Sequence, residues 1–138
     1  VIRYSDRIEG VTPNDLSGFF VGWPSPPDPE THLEILRRSA HMVLAIDDSS
    51  GAVVGFITAI SDGVLSAYIP LLEVLPDNRG QGIGRELLRR MLEKLESCYM
   101  VDLLCDPEVS GFYESLGMKS AHAMAVRRYD RQSGRRRS

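Results

Sequence analysis

The run Arg79-Gly80-Gln81-Gly82-Ile83-Gly84-Arg85 sets three alternating glycines between two arginines. The chemistry of such a run is anion binding. Glycine leaves backbone N–H groups uncovered, and a helix start adds the favourable end of its macrodipole. Arg79 and Arg85 add positive charge at both ends, so a phosphate or pyrophosphate is the natural guest. Two well-known loops do not fit. A Walker loop needs Lys and Ser/Thr after its last glycine, and Arg85-Glu86 stands there. A dinucleotide loop needs glycine in its sixth place, which is Arg85 counted from Gly80 and Leu87 counted from Gly82. A plain tight turn does not call for this spacing.

The elements around the loop follow from periodicity. Ile83, Leu87, Leu88, Met91 and Leu95 form one helical stripe, with Arg85, Glu86, Arg89, Arg90, Glu93 and Lys94 left for water. Val64 to Leu75 predicts a long strand before the loop, and Val101 to Cys105 a strand after the helix, parallel to the first. Upstream, Met42–Ile46 and Val53–Ile60 read as strands joined by turn chemistry, giving an antiparallel meander. Ile2–Tyr4 is a first short strand. Thr12-Pro13 and Asp28-Pro29 each predict a helix start. Between these starts lies a proline-stiffened loop holding Trp23. Pro107 opens a short helix with Phe112, Tyr113 and Leu116, and Gly117 ends it. Met118 to Tyr129 reads as one last strand. The class is α/β (α+β): a mixed sheet with helices on its faces.

A length of 138 residues suits one domain with a core large enough to need no disulfide or metal. That domain spans residues 1–129, and residues 130–138 read as a basic, disordered tail. No apolar run is long enough to span a bilayer and no leader is visible, so the expectation is cytoplasmic. Cys98 and Cys105 read as reduced thiols, and His32, His41 and His122 show no ligand spacing. The charge is uneven. Without Asp130 and the six arginines from Arg127 onward, the body holds ten basic and eighteen acidic residues, or −8. That argues against a nucleic-acid groove and suits a cationic small molecule.

Arg79-Gly80-Gln81-Gly82-Ile83-Gly84 matches the pattern Q/R-x-x-G-x-G/A, and Gly111-Phe112-Tyr113-Glu114-Ser115-Leu116-Gly117-Met118 follows about thirty residues on. Together they resemble the GNAT superfamily of N-acetyltransferases over residues 42–129. Residues 1–41 agree in element order only. The resemblance implies acetyl-CoA as co-substrate, no metal, and direct attack by an amine. The acetyl-CoA would sit in a wedge between two splayed parallel strands. Leu72, Glu73 and Val74 would line the pantetheine arm, and the amides from Gln81 through Arg85, with Arg79 and Gly80, would hold the pyrophosphate. Tyr113 matches the general acid. Tyr68 stands where many members carry a glutamate base. Glu73 is the only acid on its strand, and a bulge could turn it toward the substrate. Asp106 stands near a position that contacts the coenzyme arm, and helix capping competes for it. Phe20, Trp23 and Tyr68 are the substrate-side candidates. A protein lysine or N-terminal acetyltransferase and a non-catalytic acyl-CoA-binding module remain open. Members often pair, so a homodimer is open too. Neither nucleic acid nor membrane is expected as a partner.

Overall fold

A computed structural model describes residues 1–135. Its sheet has the order β1 (Ile2–Ser5), β2 (His41–Asp47), β3 (Val53–Ser61), β4 (Ser66–Val74) and β5 (Met100–Asp102). The first four strands are antiparallel neighbours, and β4 and β5 are parallel. This is the mixed sheet that the strand pattern predicts.

Each face carries its own core. On one, α2 (Ile83–Lys94) lays Ile83, Leu87, Leu88 and Met91, with Leu95 just beyond its end, on Val43, Ala45, Ile57, Ala59 and Ile69. The predicted stripe is the buried stripe. Gly55 permits the close approach. A Cβ there would lie 3.1 Å from Leu87 and 3.3 Å from Ile83, so a side chain would push the first turn of α2 off the sheet. On the other face, a 3-10 turn (Pro13–Leu16) and α1 (Pro29–Arg38) pack Leu16, Phe19, Phe20, Leu33 and Leu36 on Met42, Leu44 and Phe56. Alternate residues of β2 serve opposite faces, as period-2 geometry requires.

Several boundaries differ from expectation. The helix expected at Thr12 is a single 3-10 turn, because Ser17 is already extended and Gly18 takes a φ of +92°. The Asp62 carboxylate accepts the N–H groups of Val64, Leu65 and Ser66, so β4 starts at Ser66 rather than Val64. β5 is shorter than Val101–Cys105 because its pairing with β4 stops at Asp102. A short helix, α3 (Ser110–Glu114), follows a 3-10 turn at Pro107–Val109. Gly117 terminates it as predicted, with bonds from Gly117 N to Glu114 O and from Met118 N to Tyr113 O.

The last strand, Met118–Tyr129, does not form. Its residues find no neighbouring strand among the described residues, and a strand without a ladder is not stable on its own. The basic end is not free up to Arg135. Ser25 N donates to Gln132 Oε1 at 2.9 Å, and Arg135 pairs with the Asp28 carboxylate at the start of α1. Arg136, Arg137 and Ser138 lie outside the described residues.

Candidate active site

The site grows from one break in pairing. β4 and β5 are joined only where Ser66, Ala67 and Tyr68 meet Met100, Val101 and Asp102. Beyond that, β4 runs on to Val74, held by β3 on one side alone. The parallel strands therefore splay, and the backbone of Leu72, Glu73 and Val74 faces the opening.

A bulge decides which side chains serve it. Tyr68 pairs with Ile60 and Leu71 with Thr58, so Ile69 and Pro70 together oppose Ala59. Pro70 has no N–H to lose there. Ala67 and Ile69 face α2, and an unbroken strand would send Leu71 and Glu73 the same way. The extra residue reverses the parity. Leu72 and Val74 join the α2 core, and Leu71 joins the other. Glu73 turns with Leu71, and its carboxylate accepts from Phe20 N at 2.8 Å and Val21 N at 3.2 Å. Glu73 thus holds the loop before Trp23. Phe20 is the one non-glycine residue with positive φ among those described, at +64°. An aromatic residue does not hold that conformation unaided.

Past β4 the chain enters the glycine loop. Gly80 and Gly82 take φ of +79° and +82°, which only glycine adopts at little cost. Gly82 is the N-cap of α2 and has no side chain to bond the first turn. The first helical bond runs from Glu86 N to Gly82 O. The N–H groups from Gly80 through Arg85 have no acceptor among the described residues. They are the free donors that an anion needs. A Cβ at Gly84 would meet Val74 and Phe112 only at 3.7 and 3.8 Å, so packing does not demand glycine there. A bulky guest at the backbone would.

The two arginines are placed by different partners. Arg79 Nε donates to Val74 O at 3.1 Å. Arg85 Nη1 donates to Ser115 Oγ at 2.8 Å, and that hydroxyl donates to Phe112 O at 2.6 Å. Arg85 therefore ties the start of α2 to the helix that carries Tyr113. The motif spacing shows both segments but not this tie, which exists only after folding.

Tyr113 stacks edge-on against Phe112 with ring centroids 5.0 Å apart. Burial, and next the charge of Cys105, hold its phenol above the usual 10. It keeps its proton at neutral pH and can give it up only to a strong base such as a departing thiolate. Tyr113 and Tyr68 share the wall of an open cleft of about 1090 Å³ with residues 101–105 and 116–127. Asp106 is exposed and makes no side-chain cap, although its carbonyl accepts Val109 N at 3.1 Å.

Of the residues expected beside an acceptor, Phe20 is core, 4% exposed, while Trp23 leans on it at 4.9 Å and stays partly open. Behind them His32 is buried among Phe19, Phe20 and Phe56. Neither imidazole nitrogen has a hydrogen-bond partner among the described residues, and burial lowers its pKa to about 4. Helical period alone gives no sign of this packing.

Residues 9–118 match the model of the acetyltransferase (GNAT) family. The chain belongs to that family. It is similar to a solved Deinococcus radiodurans R1 protein assigned as an acetyltransferase, with 55% identity, 96% of this chain and 92% of that one covered, and a TM-score of 0.93. It is 31% identical over 101 residues to the uncharacterized N-acetyltransferase ycf52 of Porphyra purpurea, covering 70% of this chain and 58% of that protein. It is 33% identical over 97 residues to the chloroplastic serotonin N-acetyltransferase 2 of Oryza sativa subsp. japonica, covering 64% of this chain and 48% of that protein. The chain thus spans about half to three fifths of these two curated relatives. No helix among the described residues is long and apolar enough to cross a membrane.

Proposed function

We propose that the protein transfers an acetyl group from acetyl-CoA to a primary amine of a small cationic molecule. The observation that carries this reading is the row of free amides from Gly80 through Arg85 beside the splayed end of β4. The free donors and the missing Cβ at Gly84 suit a pyrophosphate laid on the backbone. Bound acetyl-CoA supplies an activated thioester. The chain's own part is positioning and proton supply. The backbone of Leu72–Val74, paired with β3 on one side and with no strand on the other, offers its free side to the pantetheine arm. Tyr113 holds a proton for the leaving thiolate, and burial keeps it there. Glu73 shapes the acceptor side through Phe20 and Val21. Tyr68 and Trp23 are open to an acceptor molecule.

Two observations favour a small amine. The body carries −8 without its C-terminal arginines and Asp130, and a relative that acts, by its name, on serotonin aligns over 64% of the chain. The unpaired thiols Cys98 and Cys105 fit a reducing compartment such as the cytoplasm.

The test is release of CoA thiol from acetyl-CoA across a panel of small amines, aminoglycosides and basic peptides, with Tyr113→Phe in parallel. Turnover with small amines is expected. Tyr113→Phe is expected to bind CoA as the parent does and to turn over roughly 100-fold more slowly. Release with peptides alone would transfer the reading to a protein acceptor. CoA binding without release across the panel would leave a binding module.

A further inference from the structure

Tyr113 sits on the shortest α-helix among the described residues. α3 has five residues, too few to hold themselves as a helix, and none of them is buried. No side chain caps its start. Its backbone bonds are local: Ser115 N to Gly111 O, Leu116 N to Tyr113 O and Gly117 N to Glu114 O, each at 3.0 Å. Phe112, Tyr113 and Leu116 rest on the α2 core but are only partly buried. A phenol that must meet a leaving thiolate needs a fixed direction, and so short a helix does not supply one by itself.

Among the described residues, one hydrogen bond ties α3 to another element. Arg85 Nη1, in the first turn of α2, donates to Ser115 Oγ at 2.8 Å. A hydroxyl has a single proton, and that of Ser115 goes to Phe112 O at 2.6 Å. This carbonyl belongs to the peptide unit that ends at Tyr113 N, and the unit is planar. Guanidinium, hydroxyl and carbonyl therefore fix the plane from which Tyr113 projects. A packing contact runs beside them. The Phe112 ring reaches within 3.8 Å of where a Cβ on Gly84 would stand, and Tyr113 lies at 85° to that ring.

Arg85 can serve both sides of this tie. Its neighbour Glu86 is taken by Arg89 and Arg90, and Arg85 has no carboxylate partner among the described residues. A guanidinium carries several N–H donors in a rigid fork, and one of them is spent on Ser115. The rest, with the full charge, remain beside the free amides that open α2.

We propose that Ser115 is a positioning residue for Tyr113, held by Arg85 to the glycine cradle. A phosphate on the cradle holds the guanidinium by charge, the guanidinium orients the hydroxyl, and the hydroxyl orients the peptide of Tyr113. Tyr113 is thus aimed when the coenzyme is in place. Both bonds lie at the surface, so they add little to folding stability and act on direction. This role rests on the reading of Tyr113 as the proton source.

Ser115→Ala removes the hydroxyl and leaves the cradle intact. CoA affinity by calorimetry and the melting temperature are expected to stay as in the parent. kcat for thiol release is expected to fall roughly 10-fold at unchanged KM for acetyl-CoA, because a misaimed donor costs rate rather than binding. Ser115→Thr keeps the hydroxyl and is expected to restore most of the rate. Arg85→Lys keeps the charge but loses the fork, and adding Ser115→Ala to it is expected to cost no further rate. A second readout needs no turnover. The Tyr113 ring, followed by NMR of labelled tyrosine and assigned through Tyr113→Phe, is expected to titrate above the usual 10 in the parent. In Ser115→Ala it is expected to move back toward 10, as a ring released from its half-buried place. An unchanged titration in Ser115→Ala, or full kcat in Ser115→Ala where Tyr113→Phe is slow, would overturn the proposal. A shifted titration in a chain that releases no thiol with any amine would uphold the tie and overturn the acetyl-transfer reading instead.

Discussion

The two sides of the wedge at the end of β4 are built by different means. On the side of the glycine loop, backbone sets the geometry. Gly80 and Gly82 set the turn, and the amides through Arg85 stand free without any side chain to direct them. On the side of the Trp23 loop, side chains hold backbone. The Glu73 carboxylate clamps Phe20 and Val21, and Phe20 sits at positive φ against Trp23, His32 and Phe56. A backbone-built site depends on glycine and local sequence. A clamp depends on groups 52 and 53 residues apart and on a buried base, so it should be the more sensitive to acid and to remote substitution.

The sharpest test of this contrast is Gly82→Asp. A carboxylate at the N-cap would take the same N–H groups and oppose a pyrophosphate by charge. CoA affinity is expected to fall by roughly 100-fold or more, about 3 kcal/mol. Stability should change by only about 1 kcal/mol, since left-handed strain and new capping oppose each other. Calorimetric titration beside thermal melting reads both, and an unaltered affinity would remove the cradle.

Acid should act on the other side. The rings around His32 exclude water and lower its pKa to about 4, below the ordinary 6.5 of an imidazole. Between these values the unfolded chain takes up a proton that the folded chain refuses. The contribution is therefore complete above pH 6.5 and is lost as pH falls toward 4, by on the order of 3 kcal/mol. His32→Leu should flatten this fall. Urea titrations at neutral and acid pH measure it, and an equal fall in parent and variant would place the acid sensitivity elsewhere.

The smallest effect is expected from Glu73→Ala. Two backbone N–H groups lose their acceptor, costing about 1–3 kcal/mol. KM for the amine should rise while CoA affinity holds, and Glu73→Gln should recover part of the loss. A fall in kcat at unchanged KM and stability would make Glu73 the base and break the contrast between the two sides.

Legibility follows the same division. The stripe of α2, the meander, the glycine loop and the Gly117 stop are patterns within a dozen residues, and local pattern is what periodicity and turn chemistry encode. Phe20 was expected beside substrate and lies in the core, because a loop's path is set by what clamps it. The strand expected at Met118–Tyr129 has the right composition but no neighbour to pair with. Composition reports a capacity for pairing and not the presence of a partner.

What the amino-acid order alone determined is the meander, the α2 stripe, their sequence along the chain and a glycine turn that leaves backbone amides free. These depend on neighbours in the chain. Tertiary structure decided three further things: the bulge at Ile69–Pro70 that turns Glu73 away from α2, the tie from Arg85 to Ser115, and the cleft that Tyr68 and Tyr113 share with residues 116–127. Each is a relation between distant segments. A one-residue slip in register reverses every later side chain of a strand, and nothing in the residues themselves marks where the slip will fall.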